Sequence, residues 1–223
     1  MRFTLLFVIS IISLRSLSFH RPAPAPFHLP APAAFRPETE KDLTIPYSIT
    51  ITSKKSGTGI AETYNGGIET LFAGAHVARM RLVSLMRIQS IFLTIDKGLL
   101  KSVTIIKESG NIKHRSDLTS TQWMQYNKKY AGSTCQFTQD TATVLNHVCK
   151  KAIISLRDGR QLTAYYTPAI QRPVFAFLEP AFAQVPGLVL KYTYTYKKKT
   201  ITYTATAISN SPISADILAL PAN

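Results

Sequence analysis

The stretch that most narrows the fold is the run Gly187–Ile208, GLVLKYTYTYKKKTITYTATAI. On an extended chain Leu188, Leu190, Tyr192, Tyr194 and Tyr196 fall on one side, and Val189, Lys191, Thr193, Thr195 and Lys197 on the other. Beyond Lys197–Lys198–Lys199, Ile201, Tyr203, Ala205 and Ala207 alternate with Thr200, Thr202, Thr204 and Thr206. Two adjacent period-two segments joined by a short polar turn call for an antiparallel sheet. One of its faces is apolar and aromatic, the other wetter. The lysines at the turn discourage pairing with a foreign edge.

The same alternation recurs upstream, in SITITSKK and RMRLVSL. SVTIIKESGNIKH carries a turn at Ser109–Gly110–Asn111, while KKAIISL and QLTAYYT flank Asp158–Gly159, a strong hairpin pair. Helical signal is thin. DLTSTQWMQYNKKY predicts a short helix capped by a serine or threonine, with Trp123, Met124 and Tyr126 packing inward, and AFLEPAFAQV predicts another, broken at Pro180. Residues 60–76 are ambiguous. The expected class is mainly β: a curved antiparallel sheet or incomplete barrel with a few short helices on its concave face.

The 223 residues suit one domain. Residues 1–18, with Arg2 before the apolar run FTLLFVISIISL, read as a secretory signal peptide cut after Ser18; an uncleaved anchor is the alternative. Residues 19–42 hold RPAPAPFHLPAPAAFRP, a Pro/Ala-rich segment suited to an extended tether, or else a disordered remnant of processing. The β-rich domain is expected over 43–208 and a flexible tail over 209–223. No cysteine precedes Cys135, which leaves out a lipid-anchored N-terminal cysteine. No transmembrane span is expected once the signal is removed.

The net charge is +14, and +12 once Arg2 and Arg15 leave with the signal. The positive charges are scattered, as on a solvated surface, although a basic exported protein is also drawn to anionic lipid or polysaccharide. Nucleic acid is not an expected partner, because there is no basic helix, zinc spacing or RNA-binding aromatic motif. Cys135 and Cys149 form a disulfide candidate by compartment, facing each other across a hairpin centred on Ala142 and contributing about 3 kcal/mol. The alternative makes Cys149 a small core residue.

Several stretches then carry a family resemblance. Cys149–Lys150–Lys151–Ala152, Asp158–Gly159–Arg160, Tyr166–Thr167–Pro168 with Ile170, and Val185–Pro186–Gly187–Leu188–Val189–Leu190 resemble the GLPGLI family of exported envelope proteins. The match keeps Pro186, Gly187 and Leu188, while Gln184 and Val185 replace the family's first Gly and Leu. The resemblance implies an architecture similar to the periplasmic lipoprotein-carrier fold. It also implies a place in the periplasm, or secreted to the cell surface, of a Gram-negative bacterium, and no established reaction.

Motifs for chemistry are missing. No His-x-x-x-His pair, nucleophile elbow, P-loop or paired carboxylates stand out, so no catalytic residue, metal ligand or cofactor is expected. His147 and Cys149 share a strand face but make at most half a metal site. What remains is aromatic: Tyr165 or Tyr166, with Phe175, Phe177, Phe182, Tyr192, Tyr194, Tyr196 and Tyr203, can line a concave groove for a lipid or another apolar ligand, or can be plain core. The expected role is therefore non-enzymatic binding of a lipid or lipid-bearing envelope partner; the alternative is a protein–protein adaptor.

Overall fold

The computed structural model describes residues 41–53, 63–171, 173–196 and 198–221. The expected signal peptide, the expected tether up to residue 40, Lys54–Lys55 and Lys197 lie outside the described residues. Eleven strands form one antiparallel sheet. They are β1 (Leu43–Ser53), β2 (Ile68–Ala73), β3 (Val77–Val83), β4 (Ile88–Asp96), β5 (Leu99–Ser109) and β6 (Ile112–Thr119), then β7 (Thr134–Val144), β8 (His147–Ser155), β9 (Gln161–Thr167), β10 (Leu188–Tyr196) and β11 (Lys199–Ala205). Helix α1 (Ser120–Tyr126) links β6 to β7, α2 (Pro173–Leu178) lies between β9 and β10, and α3 (Ala215–Leu218) follows β11.

The order across the sheet is β6-β5-β4-β3-β2-β1-β11-β10-β9-β8-β7. Two meanders therefore meet where β1 pairs with β11, Tyr47 opposite Ala205 and Ile51 opposite Ile201. The edges, β6 and β7, are consecutive in the chain but not paired, so the curved sheet stays an open barrel. This is the expected class.

Alternation dictates which face each residue takes. Leu43, Ile45, Tyr47 and Ile49 of β1 are buried on the concave face, as are Leu71 and Ala73 of β2. β4 and β5 depart from alternation: Ser90–Leu93 and Val103–Ile106 are buried without interruption. Such runs mean cover on both faces. On the convex side the cover is the C-terminal segment. Ser209 bridges to Thr44, the Ile213 amide donates to Asp42 at 2.7 Å, and the Arg79 guanidinium donates to the Ile217 carbonyl at 2.8 Å. Residues 209–221 are thus packed onto the sheet rather than hanging free, which corrects the expected flexible tail. Hydrogen bonds and the apolar contact of Leu218 near Gly74 hold them.

Helix α1 starts as its sequence asks. Thr119 caps it, and Gln122 returns the bond to the Thr119 amide at 2.8 Å, a reciprocal capping box. Trp123 is buried and Tyr126, half exposed, stacks on its ring at 5.5 Å, whereas Met124 is exposed, contrary to expectation. Residues 123 and 126 lie one helical turn apart on one face, which position 124 does not share. Residues 176–185 do break at Pro180, with α2 before it and a 3-10 turn at Pro180–Phe182 after it. The ambiguous 60–76 segment contains β2.

The disulfide expectation fails on register. Cys149 sits opposite Ala142, and Cys135 sits opposite Ile154. Five residues along the strand is ~16 Å at about 3.3 Å per residue, far beyond the ~7 Å Cα separation a disulfide spans. Both are free thiols. The hairpin turns at Leu145–Asn146, both at positive φ, rather than at Ala142. Burial pushes both thiols up, which disfavours the thiolate.

Candidate functional site

Between the concave wall and the helices lies a cavity of about 450 Å³. β10 and β11 supply Tyr192, Tyr194, Tyr196 and Tyr203, and the α2 region supplies Leu178, Glu179 and Phe182. Trp123, Tyr126 and Tyr130 come from α1 and the turn that follows it, while Met80 and Ile91 come from β3 and β4. The Trp123 indole donates to the Phe177 carbonyl at 2.9 Å, tying α1 to α2 over the cavity. Tyr192 stacks on Tyr203 at 4.4 Å and meets Phe182 edge-on at 4.9 Å.

Five of the nine aromatics named from the sequence line the cavity: Phe182, Tyr192, Tyr194, Tyr196 and Tyr203. The others do not. Tyr165 and Tyr166 are chain neighbours on a strand, so they point to opposite faces. Tyr165 takes the convex side under Lys191, whose Nζ lies 6.0 Å from its ring. Tyr166 is concave but packs against Phe137 at 5.9 Å, away from the cavity. Phe175 is buried in α2, and Phe177 offers its backbone rather than its ring.

The floor holds what the sequence reading missed. Glu69, 5% exposed, takes the concave position of β2 between Tyr47 and Leu82. The Tyr192 hydroxyl donates to it at 3.5 Å, a long contact, and among the described residues it has no ion-pair partner. Glu179, just past α2, also faces Tyr192. Burial pushes Glu69 up to about 7, with the Tyr192 hydroxyl pulling the other way. Burial, and then the charge of Glu69, push Glu179 well above the usual carboxylate range. Burial and these two carboxyls raise Tyr192, Tyr47 and Tyr203 as well. The Tyr47 hydroxyl escapes the pair by donating to the Val189 carbonyl at 2.7 Å. A signal for Glu69 did exist: in IETLFA, Glu69 shares its face with Leu71 and Ala73, an acid on an apolar stripe. Glu179 had none, because 110 residues separate the pair and only the sheet brings them together.

Among the described residues no group of three or more His, Cys, Asp and Glu could hold a metal ion, and no helix is long and apolar enough to cross a membrane.

The sequence matches no protein-family model and no curated protein, so the GLPGLI resemblance rests on its motif residues alone. Similar solved structures include PNGF-II, at 13% identity over 79% of this chain and 29% of that one, with a TM-score of 0.46. They also include the Mycobacterium tuberculosis lipoprotein LppX, at 10% over 78% and 89% with a TM-score of 0.32, and MucB, at 11% over 85% and 60% with a TM-score of 0.34. The chain spans under a third of the PNGF-II length. These likenesses concern the course of a curved sheet.

Proposed function

We propose that this chain is an exported, non-enzymatic binding protein of the cell envelope that takes an amphipathic, lipid-type ligand into its concave cavity. The observation that carries the reading is the cavity itself. Its ~450 Å³ falls within the roughly 300–1,000 Å³ range of small-molecule sites. Its walls carry aromatic and aliphatic side chains, its buried floor holds Glu69, Tyr192 and Glu179, and Gln89, Arg160 and Gln161 are among its other polar lining residues. An acyl chain gains by leaving water against such walls, and a hydroxyl, amide or protonated group of the ligand can bond the carboxyls. Export follows from the N-terminal sequence pattern.

The carboxyl pair suits holding a ligand. Both groups face the same hydroxyl and are pushed toward the protonated form. A protonated carboxyl at this floor can donate to a polar group of the ligand as well as accept from one.

Native mass spectrometry of the protein from an exporting host, followed by organic extraction, tests the reading. A stoichiometric lipid should co-purify, and Tyr194→Glu should release it while the protein stays folded. Retention by that variant, or a ligand-free protein in hosts of several lipid compositions, rules the reading out. The adaptor reading has one feature in its favour, the unpaired edges β6 and β7, which a partner strand could extend. It would take over on the ligand-free outcome.

A further inference from the structure

The cavity has a mouth, and exposed apolar side chains and cations surround it. All neighbouring strands are antiparallel, so turns fall alternately at two rims of the sheet. The register places Val83–Ile88, Ser109–Ile112, Ser155–Gln161 and Tyr196–Lys199 together at one rim. The turns at Lys97–Gly98 and Leu145–Asn146 lie at the other. The exposed lining residues that the sheet supplies, Arg160, Gln161, Thr195 and Tyr196, all belong to the first rim, which therefore carries the cavity mouth, with Tyr126 and Lys129 of the α1 region exposed beside them.

Large apolar side chains stand in water at that same rim. Leu85 is 85% exposed, Met86 60%, Ile112 61% and Ile68 53%. The Leu85–Met86 tip is held rather than loose. Its turn closes from the Ser84 amide to the Arg87 carbonyl at 2.9 Å, the Leu85 amide donates to the Thr63 carbonyl at 3.2 Å, and the Ser109 hydroxyl donates to the Met86 carbonyl at 3.1 Å. A backbone bonded this well presents the two side chains outward at fixed height.

The rim is also cationic. Arg87, Lys113, Lys129, Arg157 and Lys198 are exposed around the mouth. The Arg157 guanidinium lies over Gly132, which draws the Lys128–Lys129 turn to this end. The one exposed acid in the β8–β9 turn, Asp158, is paired with Arg160. Apolar tips alone fit a protein partner as well as a membrane. Apolar tips inside a ring of cations, on a chain whose net charge is +12 once Arg2 and Arg15 leave with the signal, fit a surface that is anionic outside and apolar just beneath.

We propose that this rim docks on an anionic lipid bilayer, Leu85 and Met86 entering the headgroup layer and the surrounding cations meeting lipid phosphates, so that the cavity mouth faces the membrane. The inference builds on the reading of the cavity as a lipid-type site, since docking in this pose gives a lipid a path between bilayer and cavity.

The test is co-sedimentation of the protein from an exporting host with vesicles of pure phosphatidylcholine and with vesicles containing 30% phosphatidylglycerol. Binding is expected to the second and not the first, and to fall with added salt. Leu85→Glu/Met86→Glu should cut partitioning about tenfold or more, and Arg87→Glu/Lys113→Glu by a similar factor, because each places repulsion at the contact. Leu99→Glu is the control: it is 65% exposed but sits at the far rim, and should bind as the unmodified protein does. Unchanged melting temperatures confirm that the loop variants are folded. Equal binding to both vesicles, or equal loss from the near-rim and far-rim variants, overturns the docking surface. Tyr194→Glu separates the two readings: it should empty the cavity yet leave vesicle binding intact. Docking without a retained ligand sinks the cavity reading alone, and a retained ligand without docking sinks this one alone.

Discussion

Both faces of the sheet bury aromatic side chains, but they finish the job differently. On the convex side of β3–β5, Phe92 is 3% exposed and lies 4.7 Å beneath the Arg79 guanidinium. Arg79 in turn bonds Ser90 and the Ile217 carbonyl, so the C-terminal segment closes over Phe92 and Ile106. On the concave side Tyr192 and Tyr203 are nearly as buried, at 8% and 9%, yet they line a cavity of about 450 Å³ and face two carboxyls with no ion-pair partner among the described residues. Burial therefore does not separate core from site. Volume that no side chain fills does, since a finished core is close-packed.

Phe92→Ala tests that contrast most severely. It removes a filled aromatic position, and denaturant unfolding should show a loss of about 3–5 kcal/mol. Ligand retention per folded molecule should be unchanged, because the convex face takes no part in the cavity.

Glu69→Gln should sharpen the contrast from the other side. A carboxyl raised from 4.5 to about 7 is protonated in the folded chain where the unfolded chain is already ionised. Its contribution is fully present below pH 4.5, falls as pH rises, and is gone above about pH 7, a change of about 3 kcal/mol at 1.36 kcal/mol per pH unit. Glu179 acts in the same direction. The unmodified protein should lose stability between pH 4.5 and 7, and Glu69→Gln should flatten much of that slope. A slope that survives in Glu69→Gln/Glu179→Gln would show that the floor does not control it.

The smallest effect is expected for Arg79→Met. It keeps apolar cover on Phe92 but loses the bonds to Ser90 and Ile217, and should cost about 1–2 kcal/mol. Hydrogen exchange should rise in residues 213–221 and not around the cavity.

Much of the architecture was legible in the residues. The β10–β11 hairpin, the Asp158–Gly159 turn and the Pro180 break follow from local rules: side-chain period, positive φ at Gly159, and the missing proline N–H. The errors also have local causes. Leu145 carries no turn signal, yet it adopts φ 50° beside Asn146, and this moved the hairpin centre and separated the cysteines. Between Tyr165 and Tyr166 the residues alone leave open which turns inward, and the fold gives that place to Tyr166, 4% exposed.

The sequence by itself determined an antiparallel sheet with one aromatic face, because period-two alternation is a property of neighbouring residues and survives any choice of partners. It could not determine which aromatics would share a cavity, that Glu69 and Glu179 would meet at Tyr192, or that the last residues would cover the convex face. Those are pairings between positions up to 171 residues apart, as in the bond from the Ile213 amide to Asp42. Only the closing of β1 onto β11 fixes them, since long-range register depends on how the whole sheet curves and not on any local preference.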